Sequence, residues 1–201
     1  MQSRQITCKV LGKKGVLELT LTAKTVTRHL PAYQELYRLY LRAFPKAERV
    51  PWSWLMIKAR SPRARFTAYF DGEELVGFTY LITGAKVNYL MYLAVNDQVR
   101  SKGYGSQILA CLTAAYPKRE LVLEIEHPDK NAENAPQRMA RLRFYLRNHF
   151  HQTSHLFEDG PTTYQLLATD PQIDPAVIYK HHFRWFAWPL GWLYPAPKPI
   201  E

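Results

Sequence analysis

The stretch from Tyr89 to Leu109, YLMYLAVNDQVRSKGYGSQIL, constrains the fold more tightly than any other part of the chain. Tyr89 to Val95 is an apolar run of aromatic and branched residues, the composition of a strand. It breaks at Asn96-Asp97. A short basic loop follows, Arg100-Ser101-Lys102-Gly103-Tyr104-Gly105-Ser106, and then a helical pattern with Ile108, Leu109, Leu112 and Ala115 on one face. A strand that feeds a glycine-bearing basic turn and a helix start makes an anion site. Backbone N–H groups without intrahelical partners converge there, the helix dipole adds partial positive charge, and glycine lacks the Cβ that would hold a phosphate away.

The loop does not end in the Gly-Lys-Ser/Thr of a Walker motif, and it lacks the third glycine of the dinucleotide fingerprint. It reads Arg-x-x-Gly-x-Gly, Arg100-Ser101-Lys102-Gly103-Tyr104-Gly105. In this setting it resembles the pyrophosphate loop of the GNAT superfamily of acyl-CoA-dependent N-acyltransferases. A second segment, Arg141-Leu142-Arg143-Phe144-Tyr145-Leu146-Arg147-Asn148-His149-Phe150, is similar to that family's (Leu/Phe)-Tyr-x-x-x-Gly-Phe helix and stands at the family's order and spacing. Ala43-Phe44-Pro45-Lys46-Ala47-Glu48-Arg49 resembles a phrase of one bacterial branch.

Composition narrows the class. Apolar content of 47% with 22% charged residues describes a globular chain, long enough for one domain or one domain with an appendage. Cys8 and Cys111 lie far apart and read as free thiols in a reducing compartment. No apolar run approaches the roughly eighteen residues of a spanning helix and no signal-peptide pattern opens the chain, so a cytoplasmic protein is expected. The formal charge of +10 attracts anions, but the basic residues are scattered and no nucleic-acid motif accompanies them. Solvated basic faces and attraction of an anionic cofactor account for it; neither nucleic acid nor membrane is expected as a partner.

Taken in order, residues 5–22 read as strand material with a turn at Gly12-Lys13-Lys14-Gly15. A helix follows from Leu30 to Phe44, and a short one from Trp52 to Ala59. Phe66 to Phe70 and Leu75 to Ile82 are strands joined at Asp71-Gly72. Leu121 to Glu126 is a strand with Glu124 and Glu126 on one face. Pro136 opens the next helix, and strands 151–157 and 162–168 close the pattern. This order fits the α+β GNAT fold that the resemblance implies: a central mixed, mostly antiparallel twisted sheet of six to seven strands flanked by about four helices. The resemblance covers residues 5–170, so the expected division is a catalytic domain, 1–170, and an extension, 171–201. The extension holds six prolines and three tryptophans. Three readings of it stand open: packing across the domain's own surface, contact in a homodimer, and an interfacial membrane anchor.

The resemblance also implies a chemistry, transfer of an acetyl group from acetyl-CoA to a primary amine of a small molecule or peptide by direct attack in a ternary complex. Arg100 to Ser106 would hold the diphosphate. The backbone of Leu93 and Val95 would pair with the pantetheine arm, and an N–H near Ala94 or Val95 would face the developing oxyanion. Tyr145 would return a proton to the departing thiolate. Glu126, then Glu124, are the candidate bases, with Glu48 a third. His149 replaces the usual glycine after the helix, and Arg138 stands where many members carry a cofactor-contacting Asn, for which Asn131 or Asn134 could substitute. The histidines at 149, 151 and 155 lack a cysteine or carboxylate to complete a ligand set, and no metal is expected. A non-catalytic acyl-CoA-binding module that engages a partner through the aromatic tail is the alternative.

Overall fold

The computed structural model describes residues 5–11, 18–99, 103–159, 162–174, 182–189 and 198–200. The chain forms two compact units. One comprises Met1–Ile82 with Leu90–Pro117, the other Thr83–Tyr89 with Lys118–Glu201.

In the first unit, strands β1 (Gln5–Leu11), β2 (Glu18–Thr25), β3 (Ala64–Asp71), β4 (Glu74–Thr83) and β5 (Val87–Val95) follow one another in sheet order. β1 through β4 pair antiparallel. The β3–β4 turn is the one the Asp71-Gly72 pair calls for. Asp71 pairs with Glu74, and Gly72 takes φ 60, a left-handed value that costs glycine little. Helix α1 (Tyr33–Ala43) buries Leu36, Leu39 and Tyr40, which share one helical face. It stops because Pro45 forces Phe44 out of the helical region, to φ −123° and ψ 136°. Helix α2 (Trp52–Lys58) returns an aromatic face: the Trp52 ring lies 5.2 Å from Tyr37 and 5.3 Å from Tyr40, and its Nε1 donates to Tyr33 Oη at 2.7 Å. Such ring pairs add about 0.5–1.5 kcal/mol each beyond the apolar area they bury. Helix α3 (Tyr104–Ala115) buries Ile108, Leu109 and Leu112 as its spacing requires.

The second unit contains the start of β5, β6 (Glu120–Glu126), helix α4 (Ala135–Arg147), β7 (His151–Asp159), β8 (Thr162–Ala168), a short helix α5 (Arg184–Ala187) and β9 (Lys198–Ile200). β5 and β6 run parallel, with Val87 opposite Glu120 and Tyr89 opposite Val122. β6–β8, β7–β8 and β7–β9 are antiparallel. Pro136 stands in the first turn of α4, where its missing N–H costs nothing.

The mixed, mostly antiparallel fold is therefore the expected one. The described residues make nine strands where six or seven were expected: the turn expected within residues 5–22 falls between two strands, β1 and β2, and the tail adds β9. The described part of that tail packs on its own unit. His182 is buried, with Nε2 3.0 Å from Val87 O, and a Cβ on Gly84 would stand 2.7 Å from the His182 ring. Phe186 and Ala187 are buried beside it in the sequence, and β9 lies along the edge of β7, covering backbone groups that an open edge would expose. No helix among the described residues is long and apolar enough to cross a membrane.

Candidate active site

β5 carries two faces. Leu90, Tyr92 and Ala94 are buried, whereas Leu93 and Val95 pack against the cluster formed by Leu21, Ala23, Tyr69, Val76, Tyr104, Ile108 and Cys111. Asn96 ends the strand by using its side chain as backbone: its N–H bonds Val76 O at 2.9 Å, its Nδ2 bonds Leu75 O at 2.8 Å, and its Oδ1 accepts from Gln98 N at 3.2 Å. This Asx turn stops the strand and starts the loop. Arg100, Ser101 and Lys102 lie outside the described residues. Gly103 takes φ 69° and ψ 21°, and α3 begins at once with no side-chain cap. The first intrahelical bond runs from Gln107 N to Gly103 O, 3.2 Å, so the amides of the preceding turn, Gly105 and Ser106 included, lie outside the helical ladder. A helix start of this kind favours an anion and suits a diphosphate.

Two contacts that secure this corner escaped the sequence reading, although Tyr104 itself stands in the expected diphosphate loop. Gly77, in the middle of β4, gives β4 room against the Ala94 carbonyl: a Cβ there would stand well inside contact distance of that oxygen and 2.9 Å from Ile108 Cδ1. An isolated glycine inside a strand pattern is the available signal for such a close approach. Tyr104, buried at the first position of α3, donates from its hydroxyl to Asp71 Oδ2 at 2.7 Å, tying the helix start to the β3–β4 turn. A bond between positions 33 apart leaves no trace in local sequence.

Tyr145 is held by the end of its own helix. Phe150 N bonds Tyr145 O at 3.1 Å and His149 N bonds Leu146 O at 3.3 Å, the paired bonds of a Schellman motif, with His149 at φ 65° in the left-handed position. The Phe150 ring packs 5.5 Å from the Tyr145 ring, and Asn148 Nδ2 donates to Phe144 O at 2.7 Å. The glycine replaced by His149 is thus replaced without loss of the turn. Burial pushes the Tyr145 phenol up to about 12, with the Arg141 charge pulling the other way, so it carries its proton throughout the physiological range.

Glu126 and Asn134 come together. Asn134 Nδ2 lies 3.2 Å from Glu126 Oε2, Arg138 Nη2 lies 3.2 Å from Oε1, and Arg141 Nη1 lies 3.3 Å from Oε2. Arg138 Nε in turn donates to Asn134 Oδ1 at 2.6 Å, and its Nη1 donates to His127 O at 3.1 Å. The carboxylate therefore clamps the first turns of α4 to the end of β6, and these donors must be displaced before it accepts a proton from an amine. Glu124 stands opposite Leu166 on the same strand. Beyond Glu126, the 127–132 loop with Arg138, Thr162 and Thr163 encloses a polar hollow of about 460 Å³. Glu48 belongs to a third arrangement, in which its carbonyl accepts from the Tyr92 hydroxyl at 2.6 Å.

The comparisons agree with this geometry. Residues 33–150 match the family model described as the Acetyltransferase (GNAT) family. Among solved structures, a putative GNAT acetyltransferase from Bacteroides thetaiotaomicron superposes with TM-score 0.67 at 21% identity, covering 84% of this chain and 97% of that one. A GNAT acetyltransferase from Elizabethkingia anophelis with acetyl-CoA bound gives 0.52 at 17%, covering 74% and 96%. The aminoglycoside 6'-N-acetyltransferase of Enterococcus faecium gives 0.56 at 17%, covering 76% and 99%. No curated protein sequence matches the chain. With more than half its length matched by the family model, this chain belongs to the GNAT family and is an acetyltransferase.

Proposed function

We propose that the protein transfers an acetyl group from acetyl-CoA to a primary amine by direct attack in a ternary complex. The observation that carries this reading is the β5–Gly103–α3 corner: a strand ended by Asn96, a left-handed glycine and a helix start with no side-chain cap. The residues present fit a diphosphate, since backbone amides and the dipole of α3 converge where glycine leaves space. Arg100 and Lys102 add cationic charge. Leu93 and Val95 offer backbone groups to the pantetheine arm, and an amide near Ala94 or Val95 serves the oxyanion. Bound there, acetyl-CoA supplies an activated acyl group and a thiolate leaving group.

Tyr145 gives its proton to that thiolate. Burial raises its pKa to about 12, so the phenol holds its proton at neutral pH and has one to give. Proton removal from the amine falls to β6. Glu126, held by Asn134, Arg138 and Arg141, and then Glu124 are the carboxylates to test as base. Support for an amine acceptor comes from the neighbours: one is an aminoglycoside 6'-N-acetyltransferase, another the ribosomal-protein-S18-alanine N-acetyltransferase of Escherichia coli.

The test is release of free thiol from acetyl-CoA across a panel of primary amines. Tyr145→Phe is expected to lower turnover about 10–100-fold while cofactor binding stays intact. Equal turnover by the two proteins would remove Tyr145 from the chemistry. Binding of acetyl-CoA with no transfer to any amine would favour the non-catalytic module.

A further inference from the structure

On the face of β5 that carries Tyr92, two phenols hold the loop between α1 and α2. Tyr40 donates to Val50 O at 2.8 Å, Tyr92 donates to Glu48 O at 2.6 Å, and Val50 N donates to Tyr92 Oη at 3.1 Å. The backbone on either side of Arg49 is therefore fixed. Tyr92 is itself seated by Phe44 at 4.6 Å and Tyr40 at 5.4 Å between ring centroids. Every one of these residues belongs to the first unit.

Arg49 stands between the two anchor points and has no counterion among the described residues. Its side chain is half buried, its Nε is sealed from solvent and meets no acceptor, and among the described residues its guanidinium makes no hydrogen bond or ion pair. The charge lies close enough to act on Tyr40: burial raises that phenol's pKa, and Arg49 pulls it down. An Nε shielded from water and left without an acceptor is unfavourable, while the rest of the half-exposed guanidinium stays accessible to an anion. Arginine presents a planar fork that matches a carboxylate or a phosphate with two parallel hydrogen bonds.

The position says which ligand brings that anion. Leu93 and Val95 pack on the α3 cluster with Tyr104 and Ile108, whereas Tyr92, between them and Leu90, packs on α1. The loop that carries Arg49, anchored on Tyr92, and the diphosphate corner thus lie on opposite faces of β5. We propose that Arg49 binds an acidic oxyanion, a carboxylate or a phosphate, on the amine acceptor, so that the substrate class is amines carrying an acidic group. This rests on the acetyltransferase reading above and deepens it.

Three probe acceptors share a short aminoalkyl chain: β-alanine, phosphoethanolamine and the neutral β-alaninamide. Wild-type enzyme is expected to favour one acidic probe over the neutral one in kcat/KM, and which of the two it favours separates carboxylate from phosphate. Arg49→Gln should raise KM for that probe about tenfold or more, the scale of one charged hydrogen-bonded contact. It should leave kcat, the neutral probe and acetyl-CoA binding unchanged, and Arg49→Lys should restore part of the affinity. An unchanged ratio of acidic to neutral probe in Arg49→Gln overturns the proposal. If none of the three is acetylated, melting is followed with inorganic phosphate or acetate against chloride at equal ionic strength. A rise specific to wild type supports the site, and equal behaviour of wild type and Arg49→Gln overturns it. Failure of wild type to bind acetyl-CoA sinks the acetyltransferase reading instead; binding and turnover without acid preference sink only the Arg49 site.

Discussion

The start of α3 and the end of α4 both turn on a residue in the left-handed region, Gly103 at φ 69° and His149 at φ 65°, yet they are finished in opposite ways. The α4 end is closed. Both Schellman bonds are made, the ring of Phe150 covers Tyr145, and Asn148 caps a further carbonyl. Among the described residues the α3 start is open, with no side-chain cap and a glycine around which an added Cβ would meet nothing within 4 Å. A terminus that satisfies its own backbone holds a side chain still; one that leaves its amides outside the ladder is ready for an anion. The glycine is needed where a ligand must approach, and a histidine suffices where only the turn is required.

The comparison breaks most severely at Phe150. Phe150→Ala removes a buried ring and the contact that seals the closed end, and is expected to cost about 3–5 kcal/mol in denaturant unfolding. A loss below about 1 kcal/mol would mean that the backbone bonds alone hold the end of α4. At the open end, Tyr104→Phe deletes the hydroxyl bonded to the half-buried Asp71 and should cost about 0.5–1.5 kcal/mol, the net worth of one hydrogen bond. It should also weaken acetyl-CoA affinity, whereas a purely structural tie would leave affinity unchanged. The smallest effect is expected from His149→Gly, which relieves a strained φ and should stabilise the protein by about 1 kcal/mol or less in the same experiment. Destabilisation there would show that the histidine side chain contributes something the turn does not.

The elements that local chemistry dictates were legible in the sequence. Glycine at 72 and 103, proline at 45 and 136, and the alternation of β6 each act within a few residues, so the turn, three helix boundaries and the shared face of Glu124 and Glu126 could be read directly. Tyr145 was legible only through a resemblance, since an isolated tyrosine on an apolar helix face signals nothing by itself. The tie of Tyr104 to Asp71, the clamp of Arg138 and Arg141 on Glu126, and the bare charge of Arg49 were not legible. Each depends on side chains brought together by tertiary packing, for which sequence spacing holds no record. The tail divided the same way: its apolar richness was plain, but the docking of His182 on Val87 and the pairing of β9 with β7 required the fold.

The most direct test is the melting temperature with and without acetyl-CoA for wild type, Gly103→Asn and Gly103→Glu. Asparagine tolerates the left-handed region, whereas glutamate places a negative charge at the start of α3. A rise on adding acetyl-CoA in wild type, diminished in Gly103→Asn and absent in Gly103→Glu, is the expected result. An equal rise in Gly103→Glu would move the diphosphate away from α3, and no rise in wild type would contradict acetyl-CoA as the donor.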